Sequence, residues 1–147
     1  MRATVRHRDA PRIRAAIEAA ERRTSAEVVV SLAPFFLGSV AAAARRAFAR
    51  LGVAATRARN GVLIFVVPSR RQLIVLADAQ AEVRMGPACL AEVARRIAAG
   101  FGRGRGTEGL LAGIEHVADG LATAFPRTPD DVNELADAPD FVAAGPR

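Results

Sequence analysis

The stretch NGVLIFVVPSRRQLIVLAD, residues 60–78, decides the fold of this chain. Val62 to Val67 and Gln72 to Ala77 are each too short for a typical helix and rich in branched side chains, so both read as strands. Pro68-Ser69-Arg70-Arg71 between them suits a hairpin turn. Neither run alternates with polar residues, so both faces of the sheet must be covered. That demands helices on each side.

Working outward, the chain supplies them. Asp9 can cap a first helix with Pro11 in its opening turn, and Ile13, Ala16, Ile17 and Ala20 recur on one face. Val28 to Leu32 reads as a buried strand that Pro34 ends. Val40, Ala44, Ala47 and Leu51 mark a second helix, closed by Gly52 in a left-handed cap. Pro87 starts a third helix with Leu90, Val93, Ile97 and Phe101 inward, and a fourth begins near Thr107 with Leu110, Ile114, Val117 and Leu121 inward. The strand–helix–strand unit from Glu27 to Val67 is expected to be a right-handed parallel crossover, and the hairpin adds an antiparallel strand. The expected fold is an α/β/α sandwich: a mixed, mostly buried sheet of three or four strands with helices on both faces. One domain spans residues 1–126, with its core from about 10, and residues 127–147 form an acidic, proline-containing tail.

The 147 residues are about half apolar, enough for a core, yet the longest apolar run falls far short of the roughly 20 residues of a membrane span. A charged N-terminus without an apolar segment and a single cysteine, Cys89, point to a reducing, cytoplasmic setting. All 21 basic residues are arginine. Residues 1–59 carry 12 arginines against 4 acids (+8), and residues 60–147 carry 9 against 11 (−2). A basic front half attracts anions, although ordinary solvated helix faces give the same count. Nucleic acid is disfavoured, because the chain has no tyrosine or tryptophan and its seven phenylalanines fall mostly at core positions.

Several residues invite a chemical reading. Asp78 ends its strand, where loops diverge, and Glu82 follows one helical turn later; together they could hold a divalent cation. Asp78 could equally cap the turn after its strand or pair with an arginine. Glu27, at the mouth of the first strand, is the second acid/base candidate. Arg57, Arg59 and Asn60 form a basic loop able to grip phosphate or carboxylate, and Asn60-Gly61 is also a common turn pair with tolerance for positive φ. Because the third strand runs antiparallel, Asp78 should land at the same sheet edge as Glu27, Arg59 and Asn60. Arg103 and Arg105 lie in GRGRG, which lacks the lysine and spacing of a phosphate loop and reads as a helix connector, though it could hold an anion before a helix N-terminus. His7 and His116 sit in no zinc-ligand pattern, and Cys89 reads as a buried thiol.

Five segments in order, TSAEVVV, TRARNGVLIFV, RRQLIVLAD, GRGRGTEGLLAGIEHVADGLATAFP and NELAD, resemble the TPM domain family over roughly residues 12–138. The likeness is greatest to a bacterial branch that ends in a phrase like "FP…NELPD". That family includes thylakoid-lumen proteins, extracytoplasmic bacterial proteins and an animal receptor-associated protein. The resemblance implies an α/β/α sandwich, and it implies little chemistry, since acid phosphatase activity and calcium binding are ascribed only to some relatives. This chain departs from the branch in three places. Ala79-Gln80-Ala81 follows Asp78 where a glycine is usual, Pro87-Ala88-Cys89 replaces a tryptophan, and NELAD replaces NELPD.

The resulting expectation is a non-catalytic binding module for a protein partner or small anion, with no required cofactor. The alternative is a weak, metal-assisted acid phosphatase using calcium or magnesium, and a third reading is a basic nucleic-acid binder.

Overall fold

The computed structural model describes residues 5–128 and 138–141; the NELAD segment, residues 133–137, lies outside them. Four strands, β1 (Val28–Leu32), β2 (Val62–Val67), β3 (Gln72–Ala77) and β4 (Asp140–Phe141), form one sheet in the order β3-β2-β1-β4. β1 and β2 are parallel, with Val28 opposite Val62 and Leu32 opposite Val66. β3 returns antiparallel beside β2. The hairpin turn expected at 68–71 is a short 3-10 turn, Pro68–Arg70, ended by Arg71 in the left-handed region at φ 53°.

Helices cover both faces. α1 (Ala10–Glu21), α4 (Pro87–Gly102) and α5 (Gly106–Ala124) pack Ile13, Ile17, Val93, Ile97, Leu110 and Ile114 against Val28, Val30, Val62, Ile64 and Val66. α2 (Val40–Arg50) packs Val40, Ala44 and Ala47 against Val29, Leu63, Phe65 and Val67 on the other face. Alternate side chains of one strand therefore enter two different cores, which is why neither apolar run alternates with polar residues. Every residue of β1 and β2 is buried. Burying one such large side chain is worth roughly 1.5–3 kcal/mol. β3 is only half-buried, because among the described residues it is the outermost strand and its far side has no neighbour in the sheet.

Three details depart from expectation. Asp9 does not cap α1 through its side chain; its carboxylate accepts from the Arg6 N–H at 3.1 Å and from the Thr107 hydroxyl at 3.1 Å, tying the N-terminal segment to α5. A short helix, α3 (Ala79–Met85), follows β3 directly. Part of the acidic tail returns to the sheet as β4, parallel to β1, where the Asp140 carboxylate accepts from Ser31 Oγ at 2.8 Å and Arg50 at 2.9 Å.

α4 and α5 form a tight antiparallel hairpin whose backbones meet at glycines. A Cβ on Gly100 would sit 2.3 Å from the Gly109 Cα, and one on Gly113 would sit 2.5 Å from the Ile97 side chain. Alanine in a helix ordinarily gains about 1 kcal/mol over glycine. Here the helices must separate instead, so Gly100→Ala should destabilise by about 2–3 kcal/mol, read as a lower denaturation midpoint.

Candidate functional site

Two ends of the sheet present chemistry, and they differ in kind. At the first end, the start of β1 and β2 meets the finish of β3. Val62 N–H donates to the Glu27 carbonyl at 2.9 Å, and Asp78 N–H donates to the Gly61 carbonyl at 2.8 Å. Glu27, Gly61 and Asp78 therefore sit in one row, as the antiparallel return of β3 requires. Gly61 is needed there for space: a Cβ would lie 2.6 Å from the Val53 carbonyl oxygen. The positive φ of this turn falls on Arg59, at 52°, and not on the Asn60-Gly61 pair. Thr56 organises the loop, its carbonyl accepting from Arg59 N–H and its hydroxyl from Asn60 N–H.

Asp78 is the centre of this end. Arg59 donates to it through both Nε, at 2.7 Å, and Nη2, at 2.9 Å, and Ala79 N–H donates to Oδ1 at 2.8 Å. The Arg59 hydrogen bonds lower the Asp78 carboxyl below its ordinary value, burial opposes them, and the Ala79 N–H adds to the lowering. Both structural alternatives weighed for Asp78 are thus present together: it caps α3 and it pairs with an arginine. Its side chain is 7 % exposed while that of Arg59 is 56 % exposed, so the ion pair closes over the carboxylate like a cover.

The remaining candidates are spread out. Glu27 is buried within this row and Asn60 is buried beside it, and the Asn60 amide Nδ2 has no hydrogen-bond partner among the described residues. Arg57 and Glu82 are exposed. Arg103 and Arg105 are also exposed, but the Gly102–Gly106 connector lies at the opposite end of the sheet, where Gly102 and Gly104 line a cleft with Leu32 and Val66. The proposed anion-binding arginines therefore form two groups and not one. Calcium or magnesium prefers six or more oxygen ligands, and neither oxygen of Asp78 is unengaged. Among the described residues no three His, Cys, Asp or Glu side chains converge as a metal site would need. The donor set present does not fit such an ion without displacement of Arg59.

The second end was not singled out from the sequence. There the C-terminal ends of β1 and β2 open into a cleft of about 830 Å³. Strand ends of this polarity are where open α/β sheets gather ligands, and that rule was the available signal. The residues are drawn from five separated segments, so no local motif announces them.

The family assignment rests on this arrangement and on the sequence match. The TPM domain matches residues 4–120. The chain belongs to the TPM domain family. Among solved structures, this TPM domain is similar to the BA42 protein of the psychrophilic bacterium Bizionia argentinensis, at 28 % identity and a TM-score of 0.87, over 94 % of this chain and 95 % of that one. It also resembles the N-terminal domain of a P. gingivalis protein, at 18 % identity and a TM-score of 0.67, over 82 % of this chain and 78 % of that one. No curated protein matches the chain. Among the described residues of the TPM domain no helix is long and apolar enough to cross a membrane.

The Asp78 ion pair gives a pH test with a definite sign. A carboxyl lowered by folding contributes stability above its unfolded value, about 3.9 for aspartate, and loses it as pH falls through the folded value. Asp78→Asn should therefore be less stable than the parent at pH 7, with the gap narrowing below about pH 4. Asp78→Ala, which also loses the α3 cap, should cost roughly 1–2 kcal/mol at neutral pH, a figure discounted for the exposure of Arg59. Thermal unfolding of the three proteins between pH 3 and pH 7 reads both effects.

Proposed function

We propose that this TPM domain is a non-catalytic binding module that acts on an anionic ligand or protein partner and needs no cofactor. One observation carries the reading. The carboxylate best placed for chemistry, Asp78, accepts three N–H groups and lies under the Arg59 guanidinium, so it acts as a fastener between the 56–61 loop and α3. A general base or nucleophile needs an accessible lone pair directed at a substrate, and three of this carboxylate's roughly four acceptor sites are already taken.

The pairing of charge supports the same reading over a nucleic-acid one. Four of the seven ion pairs among the described residues join the basic front half to the acidic back half: Arg12–Glu108, Arg23–Asp119, Arg50–Asp140 and Arg59–Asp78. Much of the charge split seen in the sequence is answered within the fold. Cys89 is the single cysteine of the chain and forms no internal disulfide, which suits a reducing compartment, and a cytoplasmic setting is part of this proposal.

The alternative is a phosphatase in which Asp78 and Glu82 hold calcium or magnesium and Glu27 assists. It requires Arg59 to swing away first. Purified protein challenged with p-nitrophenyl phosphate, with and without each ion, separates the two. The proposal expects no release of nitrophenol above background under any condition. Metal-dependent turnover that Asp78→Ala abolishes would establish the phosphatase instead.

A further inference from the structure

The cleft at the C-terminal ends of β1 and β2 has a composition that selects a ligand. Its walls are apolar, with Leu32, Val66, Phe101 and Phe141 among them, and its polar lining comes from His7, Ser69, Arg71 and Gln72. Among the described residues no aspartate or glutamate lines it. The nearest acid in sequence, Asp140, has its carboxylate engaged by Ser31 and Arg50. A volume of about 830 Å³ falls in the range of small-molecule sites, roughly 300–1,000 Å³.

Arg70 and Arg71, adjacent in the chain, have different tasks. Arg70 donates to the carbonyls of Phe36 at 3.1 Å and Gly38 at 2.7 Å and stacks on the Phe36 ring, so it ties the loop after β1 to the β2–β3 turn. Phe35, next to Phe36 in the chain, lines the cleft and is 61 % exposed. The Arg71 N–H donates to the Pro68 carbonyl at 3.0 Å, but its guanidinium makes no hydrogen bond or ion pair among the described residues, and Arg71 lines the cleft. It also occupies a left-handed backbone position, φ 53°, that glycine would take at lower cost. The other arginine in that conformation, Arg59, uses its side chain for the bidentate grip on Asp78. His7 stacks on Phe141 with ring centroids 4.0 Å apart, and Phe101 lines the same cleft.

We infer that this cleft binds a small amphipathic carboxylate, its aromatic or acyl body against Phe101 and Phe141 and its anionic head on the Arg71 guanidinium. The inference rests on the binding-module reading and gives it a site and a ligand class. A guanidinium meets a carboxylate in two parallel hydrogen bonds, which a neutral hydroxyl cannot match. The apolar walls formed by Leu32, Val66, Phe101 and Phe141 supply the rest of the recognition.

Amide spectra of the isotope-labelled full chain, titrated with 3-phenylpropionate and separately with 3-phenylpropan-1-ol, test it. The expected result is saturable shifts confined to His7, Ser69–Leu73, Phe101–Gly104 and Phe141, with the acid bound about tenfold more tightly than the alcohol. In Arg71→Gly that preference should vanish while the unfolding temperature holds or rises, since glycine suits the backbone there. Scattered or unsaturable shifts, equal binding of acid and alcohol by the parent protein, or an acid preference surviving in Arg71→Gly would each overturn the assignment. Metal-dependent turnover at Asp78 would refute the non-catalytic reading without altering this outcome, so the two failures are distinguishable.

Discussion

The parallel pairing of β1 with β2, covered on both faces, is the constraint on which the rest of the molecule depends. Two strands that bury every side chain must have a helical layer above and below, and the chain meets that need with α2 on one face and α1, α4 and α5 on the other. The connections follow from it. α2 is the crossover that returns the chain from the end of β1 to the start of β2. The close glycine seam between α4 and α5 lets two helices lie together over half of the sheet.

The same polarity makes the two ends of the sheet unlike. Where β1 and β2 begin, three chain segments meet at Glu27, Gly61 and Asp78, and the space is closed by backbone hydrogen bonds and the Arg59–Asp78 pair. Thr24 seals the neighbouring corner, donating to the Leu121 carbonyl at 3.0 Å, and the Glu21 carboxylate accepts from Val28 N–H at 3.0 Å. Where β1 and β2 end, the chain leaves through a proline loop and a hairpin turn that diverge. Divergence leaves a cleft, and among the described residues no acid answers the arginine that lines it. Titratable groups gathered at one end of a sheet are therefore not by themselves a reactive site; how fully their hydrogen bonds are used decides that.

Much of the fold was legible in residues 60–78, because unbroken apolar runs of strand length admit few arrangements. The gathering of Glu27, Arg59, Asn60 and Asp78 at one end of the sheet was legible too, since reversing one strand brings its C-terminus beside its neighbours' N-termini. What was hidden is local and short. α3 has seven residues and no apolar stripe long enough to show a period, and β4 has two residues in an acidic tail. Asp9 looked like a cap by position but is held by Thr107, ninety-eight residues away. The cleft was hidden for the same reason, since its polar groups come from distant segments and share no spacing. The surplus of arginine in the front half looked like a surface for anions; four of those arginines meet acids of the back half instead.

Native-state amide hydrogen exchange tests the central constraint most directly. The β3 register and the Asp78 N–H to Gly61 bond turn the Leu73, Val75 and Ala77 amides away from β2, toward the open edge. If the covered parallel pair holds the domain together, the amides of Val62 to Val67 exchange only through global unfolding, and those three edge amides exchange orders of magnitude faster. Val62–Val67 amides that exchange as fast as the β3 edge would contradict the account, because the middle strand would then be opening without the rest.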